Sequence, residues 1–371
     1  MSVIAPEVAT RAFVEVTEVW VPDGDRLVWS SGNYGSLDAF AAVSAKQSFT
    51  RGEGLPGRAW DEARPVVLKQ FDGSYFQRAE AARAAGLTCA VAVPIFAGSA
   101  LKAVIVVLCA DDELRTGAIE VWRESDGLLM LDDGYYGAAR HFEWVSQHTH
   151  FPRGQGLPGG VWAANAPMLM RDLGSGYRFI RAESAGRAGL TTGLGLPITV
   201  PGDRTYVLTL LSARGTPIAQ RFELWNVRAA GTAGAREAIL ADGICQREGP
   251  LWDDETERRV AAWQGPIGEV LGTGIPAVKH DNPALTAGYA SMWLFRSIAT
   301  ERSATSSPGT TERNVHAETG RHRCRHGVRP GARDPVRGRS GRLRGHAVQR
   351  GTARQLQPHH AVAGPVRREE L

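Results

Sequence analysis

The sequence predicts an α+β fold, built as tandem copies and followed by a disordered basic tail. Three observations carry this expectation. The phrase Phe49-Thr-Arg-Gly-Glu-Gly-Leu-Pro-Gly-Arg-Ala-Trp60 recurs as Phe151-Pro-Arg-Gly-Gln-Gly-Leu-Pro-Gly-Gly-Val-Trp162, and more weakly as Trp263-Gln-Gly-Pro-Ile-Gly-Glu-Val-Leu271. Around each phrase, strand-like and helix-like segments alternate. From about Thr300 large apolar side chains become scarce, so too little surface can be buried to offset the entropy of ordering.

The first copy can be read element by element. Phe13-Val-Glu-Val-Thr-Glu-Val-Trp-Val21 is β-branched and aromatic, as strands prefer. Pro22-Asp-Gly-Asp25 is turn chemistry, and Leu27-Val-Trp29 returns to complete a hairpin. Phe40 and Val43 are spaced for a helical turn or two over 37–44. In the repeated phrase Gly52 and Gly54 permit a tight entry, and Pro56 suits the first turn of a short helix that Arg64-Pro65 ends. Val66-Val-Leu68 reads as a brief strand. Residues 75–85, rich in Ala, Arg, Glu and Gln, read as the best helix, with Gly86 as its C-terminal cap. Cys89 to Phe96 and Ala103 to Leu108 form a second hairpin, its last run apolar throughout like a central strand.

Adding 102 to these numbers reproduces the second copy: Val19-Trp20 becomes Val121-Trp122, Tyr34-Gly35 becomes Tyr136-Gly137, and Pro65 becomes Pro167. Farther on the offset is 103, carrying Phe76, Arg78 and Glu80 to Phe179, Arg181 and Glu183. A register this long marks a repeated domain rather than a solenoid unit. A third copy starts at Phe222-Glu-Leu-Trp225 and loses the pattern after Ala287-Gly-Tyr-Ala-Ser291, without the two closing strands. The expected domains are 13–116, 117–218, a partial 219–299, and the tail 300–371.

The net charge of +4 is a sum of unlike parts. The last 71 residues hold 15 arginines, no lysine and six acidic groups, about +9, which leaves about −5 for residues 1–300. Two readings of the tail stand open: a basic arm for nucleic acid or an acidic partner, or a frameshifted sequence beginning near residues 292–312. Arginine without lysine suits a GC-rich gene read out of frame. The four cysteines, Cys89, Cys109, Cys245 and Cys324, show no C-x-x-C spacing and read as buried thiols. No apolar run reaches the ~18 residues that cross a bilayer. The N-terminus lacks a secretory pattern, so a cytoplasmic address is expected.

The unit resembles the GAF domain, a small-molecule-sensing and dimerising module of bacterial signalling proteins. The carrying residues are Glu18-Val-Trp20, Gly52-Glu-Gly-Leu-Pro-Gly-Arg-Ala-Trp60, Phe76-Gln-Arg-Ala79 and Ala92-Val-Pro-Ile95, with Glu120-Val-Trp122, Gly154 to Gly159, Phe179-Ile-Arg-Ala182 and Gly195-Leu-Pro-Ile198 in the second copy. The resemblance implies an α/β sandwich, each copy a central antiparallel sheet flanked by helices with a pocket on one face. The sequence departs from the family where Asp111 to Gly117 joins two copies directly, in place of a long signalling helix. It also lacks the cyclic-nucleotide and bilin signatures, and no kinase, phosphodiesterase or cyclase motif follows.

The expected function is non-catalytic sensing or regulation in signal transduction, with no cofactor. The candidate ligand-binding residues are Phe76, Arg78, Tyr177, Phe179 and Arg181: arginines that could fork onto a carboxylate or phosphate, beside aromatics that could line a pocket. The bland alternatives are ion pairs and core packing. The expected partners are a small-molecule ligand, a signalling protein and a second copy of the chain, and neither membrane nor nucleic acid. A scaffold with vestigial pockets is the alternative. A minor one is a thiol-dependent reductase of methionine sulfoxide using Cys89 and Cys109, which needs an accessible, low-pKa thiolate. Gly-Leu-Pro-Gly could offer N–H groups to an anion or could simply fit a tight turn. His141, His148 and His150 have no third ligand at convincing spacing.

Overall fold

A computed structural model of the chain describes residues 12–110, 114–175, 178–202, 204–229, 236–246, 249–251, 258–280 and 291–294. The tail, with Cys324, and the candidate Tyr177 lie outside these residues. The first copy runs β1 (Val14–Asp23), β2 (Arg26–Asn33), α1 (Asp38–Ser44), β3 (Ser48–Thr50), α2 (Gly54–Glu62), β4 (Val66–Leu68), α3 (Ala79–Ala84), β5 (Leu87–Ala97) and β6 (Ala100–Ala110). The second repeats it as β7 (Thr116–Ser125), β8 (Leu128–Gly137), α4 (Arg140–Gln147), β9 (Phe151–Pro152), α5 (Gly156–Ala164), β10 (Met168–Arg171), α6 (Ala182–Arg187), β11 (Leu190–Ile198) and β12 (Tyr206–Ala213). The third contributes β13 (Arg221–Ala229), β14 (Arg236–Cys245), β15 (Gly249–Pro250), β16 (Arg259–Ala261), α7 (Gly265–Thr273), β17 (Ala277–His280) and β18 (Ser291–Leu294).

The first sheet is ordered β3-β2-β1-β6-β5-β4 and the second β9-β8-β7-β12-β11-β10, the same antiparallel topology twice. Among the register shifts, one recurs at the same place in all three copies, between Val19 and Trp20, Val121 and Trp122, and Leu224 and Trp225. A bulge bends its strand and raises the local twist, which suits a curled sheet. Among the described residues β13 pairs only with β14, whereas β1 and β7 each have a strand on both sides.

The expected α+β sandwich of helix-flanked sheets is corrected here. The protein is mostly β, with two curled antiparallel half-barrel sheets. None of the seven helices among the described residues exceeds nine residues. The segment expected to be helical over 75–85 is a helix only over Ala79–Ala84. What covers the sheets explains the difference. Val104, Val106 and Leu108 of β6 face the helices of their own copy. Ile105, Val107 and Cys109, on the other face, join a core with Ile119, Val121, Leu194, Leu196 and Leu208 of the second sheet. The two copies therefore bury one face of each sheet against the other. The short connection from Ala110 to Thr116 leaves no length for an intervening helix.

The repeated Gly-Leu-Pro-Gly phrase is a packing device. A Cβ on Gly57 would lie 2.1 Å from the Thr50 carbonyl oxygen, and one on Gly159 would lie 2.2 Å from that of Pro152. Gly268 repeats this against Ala261 at 2.3 Å. In all three copies the first helical turn touches the preceding strand, and only glycine fits there.

Candidate functional site

Two places compete for function: the interior of each copy and the junction between the first two. The interiors hold the arginines that the sequence singles out. Alternation along β1 sends Glu18 and Trp20 to the same inner face, where both are fully buried. Arg78, at the start of α3, meets that carboxylate in a forked pair: Nη1 donates to Oε1 at 2.5 Å and Nη2 to Oε2 at 2.9 Å. Nη1 also donates to Ser44 Oγ at 2.5 Å. Trp20 Nε1 donates to Oε2 at 3.0 Å and the Tyr34 hydroxyl to Oε1 at 3.1 Å. The guanidinium lies over the rings of Phe40, Phe76 and Trp20, 4.9–5.4 Å from their centroids.

The second copy rebuilds this cluster atom for atom. Arg181 forks onto Glu120 at 2.5 and 2.9 Å and reaches Ser146 Oγ. Tyr136 and Trp122 donate to the same carboxylate at 3.1 Å each, and Thr209 adds a bond of 2.8 Å. Burial would push the Glu120 carboxyl up, but the charge of Arg181 and the hydrogen bonds from Arg181, Thr209 and Ser146 hold it below the usual range. Burial and then the Glu120 charge raise the Tyr136 hydroxyl far above its ordinary value, and the Tyr34 hydroxyl is raised in the same way by burial and Glu18. Both phenols stay protonated donors.

The structure thus gathers Phe76 and Arg78 in one interior, and Phe179 and Arg181 in the other. All four are at most 4% exposed. Phe76 stacks on Phe71 at 4.1 Å and Phe179 on Phe142 at 6.4 Å. Each arginine faces inward onto a carboxylate of its own copy rather than into an open pocket. Glu18, Tyr34, Ser44, Glu120, Tyr136 and Ser146 were not among the sequence candidates. Their signal was present, since every one is matched by an identical residue exactly one repeat away.

The thiols are poorly placed for chemistry. Cys89 and Cys109 face each other across β5 and β6, both fully buried in the core between the sheets. Burial pushes the Cys109 thiol well above its ordinary value, which disfavours thiolate. The histidines do not converge: His141 of α4 stacks on the exposed Trp144 with ring centroids 6.3 Å apart, and His148, just past the helix end, lies tilted against the same ring at 4.4 Å. Among the described residues no group of three or more His, Cys, Asp or Glu could hold a metal ion. No helix among them is long and apolar enough to cross a membrane.

The junction between the copies holds an open cavity of about 610 Å³. Gly98 and Ser99, in the β5–β6 turn, form its first-copy wall. The second copy contributes Arg153, Trp162 and Asn165 around α5, and the β11–β12 connection with Ile198, Arg204 and Tyr206. The Arg153 guanidinium lies over the Trp162 ring at 5.8 Å. Arg204 Nη2 donates to the carbonyl oxygens of Glu62 and Ala63 at 3.1 and 3.3 Å, tying the connection to the end of α2. The sequence marks Arg153, Trp162 and Ile198 as parts of the repeat but none of these residues as a ligand contact, because a cavity shared by two copies has no local pattern.

No family profile and no curated protein matches the chain. Among solved structures it is similar to the GAF domain of A. aeolicus NLH2 in an inactive state, at 22% identity over 27% of this chain and 59% of that one, with a TM-score of 0.22. It is also similar to free methionine-R-sulfoxide reductase from Neisseria meningitidis in complex with its substrate, at 18% identity, covering 26% and 51%, TM-score 0.20. A third is the GAF domain of a two-component sensor histidine kinase from Bacillus halodurans, at 15% identity, covering 26% and 65%, TM-score 0.20. The chain therefore spans less than two thirds of the length of each, and no activity or ligand is carried over from them.

Proposed function

We propose that the chain is a non-catalytic regulatory protein that binds a small molecule between its first and second copies. The cavity at that junction is the observation that supports this reading. Its volume of about 610 Å³ falls within the range of roughly 300–1,000 Å³ usual for ligand sites. The interiors around Arg78 and Arg181 are already occupied by buried side chains. A ligand in the cavity touches both copies, so its affinity differs between arrangements of the joint, and that difference is what transmits a signal. The output runs through a signalling partner.

Thermal melting of the full chain against nucleotides, tetrapyrroles, amino acids and organic acids tests the proposal. A compound that binds only the folded form adds about 2.7 kcal/mol at a hundredfold excess over its Kd. The expected result is a stabilisation by one compound class that Trp162→Ala removes. A stabilisation that survives Trp162→Ala places the ligand elsewhere and overturns the junction site.

The filled interiors favour a second reading, in which the copies act as a scaffold or dimerisation unit. Under that reading no compound stabilises the chain, and sedimentation shows a stable dimer.

A further inference from the structure

The second copy differs from the first along the helix that borders the junction cavity. Arg51 in the first copy is neutralised by Asp61, with Nε 2.9 Å from the carboxylate. Its counterpart Arg153 finds Ala163 in place of that aspartate. Glu53 becomes Gln155, Glu62 becomes Ala164, and Ala63 becomes Asn165. Three carboxylates are thus removed, together with Arg58 and Arg64, the partners of Glu62, and two amides, Gln155 and Asn165, are added near a retained arginine. Arg153 lies over Trp162, and among the described residues it has no carboxylate partner. Arg204 brings a second guanidinium to the same cavity, and none of the described lining residues is acidic. Two cations in a concave, partly apolar site concentrate anions. Arg153 and Arg204 are both exposed, and a guanidinium can fork onto the oxygens of a carboxylate or phosphate.

We propose that this cavity binds a small organic anion. Its carboxylate or phosphate group sits against Arg153 and Arg204, and its apolar part lies on Trp162 and Ile198. The inference rests on the junction-site reading above and adds the ligand's chemical class. Because Arg204 also holds the carbonyl end of α2, a bound anion ties the second copy's connection to the first copy's helix.

The test uses the full chain and four probes: benzoate, phenyl phosphate, inorganic phosphate and benzyl alcohol. The expected result is a saturable rise in melting temperature with benzoate or phenyl phosphate, a smaller one with inorganic phosphate, and none with benzyl alcohol. Which organic anion binds more tightly identifies the headgroup. Ala163→Asp recreates the first copy's arginine–aspartate pair at an exposed helical position. It should weaken the anions roughly tenfold, the loss of one charge-assisted contact, while the unliganded melt stays unchanged. Arg153→Gln serves as a second variant with the same expected loss. Equal anion shifts in wild type and both variants would reduce the effect to bulk salt and overturn the proposal. If only neutral compounds bind, in a Trp162-dependent way, the charge assignment fails but the junction site stands. If no compound of any class binds, both fail.

Discussion

Replacing Arg181 by methionine removes the cation that pairs with Glu120, whose carboxylate is fully buried. The variant loses two bonds to Glu120, at 2.5 and 2.9 Å, and a third to Ser146. Methionine fills the space among Trp122, Phe142, Phe151 and Phe179, so packing is largely kept. What remains is an uncompensated buried charge, and breaking such a pair costs about 3–5 kcal/mol. That is a large share of the ~5–15 kcal/mol that stabilises a domain. The pH dependence gives an independent check. In the native protein the Glu120 carboxyl is held below its ordinary value of 4.5, so its contribution is present above that pH and fades as pH falls. In Arg181→Met the charge that offset burial is gone, burial outweighs the remaining hydrogen bonds from Thr209 and Ser146 and raises the carboxyl, so the sign reverses and stability should fall as pH rises. Urea denaturation of the full chain at about pH 8 and about pH 4, followed by tryptophan fluorescence, reads both effects. Glu120→Gln combined with Arg181→Met should recover more than half of the loss, because the amide oxygen still accepts from Trp122 and Thr209 and the amide nitrogen can donate to the Tyr136 hydroxyl oxygen. A cost below about 1 kcal/mol, the range of an exposed pair, or an unchanged pH slope, would refute the assignment of the pair as buried and structural.

Other consequences can be checked directly. Gly159→Ala should destabilise by about 1–3 kcal/mol, because its Cβ would meet the Pro152 carbonyl oxygen at 2.2 Å, whereas Gly215→Ala, with open space, should be neutral in the same melt. Hydrogen bonds from the Thr50 amide, then Gln77 and the Thr50 hydroxyl, lower the Glu53 carboxyl from 4.5 to about 2, so its contribution should disappear as pH falls through that window. Glu53→Gln should flatten acid melts there. The raised Tyr136 hydroxyl contributes stability below its ordinary value of 10.0 that is lost as pH rises beyond it, so Tyr136→Phe should blunt alkaline unfolding. Cys89 and Cys109, both fully buried, should react with an aromatic disulfide reagent only at the rate of unfolding. Fast labelling of either in the folded chain would contradict the core between the sheets.

Much of the organisation lies in the sequence itself. A repeat offset of 102 to 103 residues shows two full copies, and the weaker phrase at Trp263–Leu271 shows part of a third, because similar local chemistry closes similar turns. The hairpins at Pro22–Asp25 and Gly98–Ser99 and the short helix after Gly54 are local events, set by turn residues and side-chain alternation. The paired recurrence of Glu18 with Glu120 and Arg78 with Arg181 marks residues with a common role. It does not say whether each arginine awaits a ligand or already holds a carboxylate. Only the fold brings Glu18 and Arg78 together, 60 positions apart, since β1 and the start of α3 meet through the sheet. The same is true of the class of fold. An apolar strand such as β6 must be covered on both faces, but its sequence cannot tell a helix from another sheet as the cover. The helices are too short to form that layer, and the second copy lies one brief connection away, so sheet packs on sheet. The cavity between the copies follows from that packing. Its residues come from two separately legible repeats, and the space exists only where tertiary contact brings them side by side.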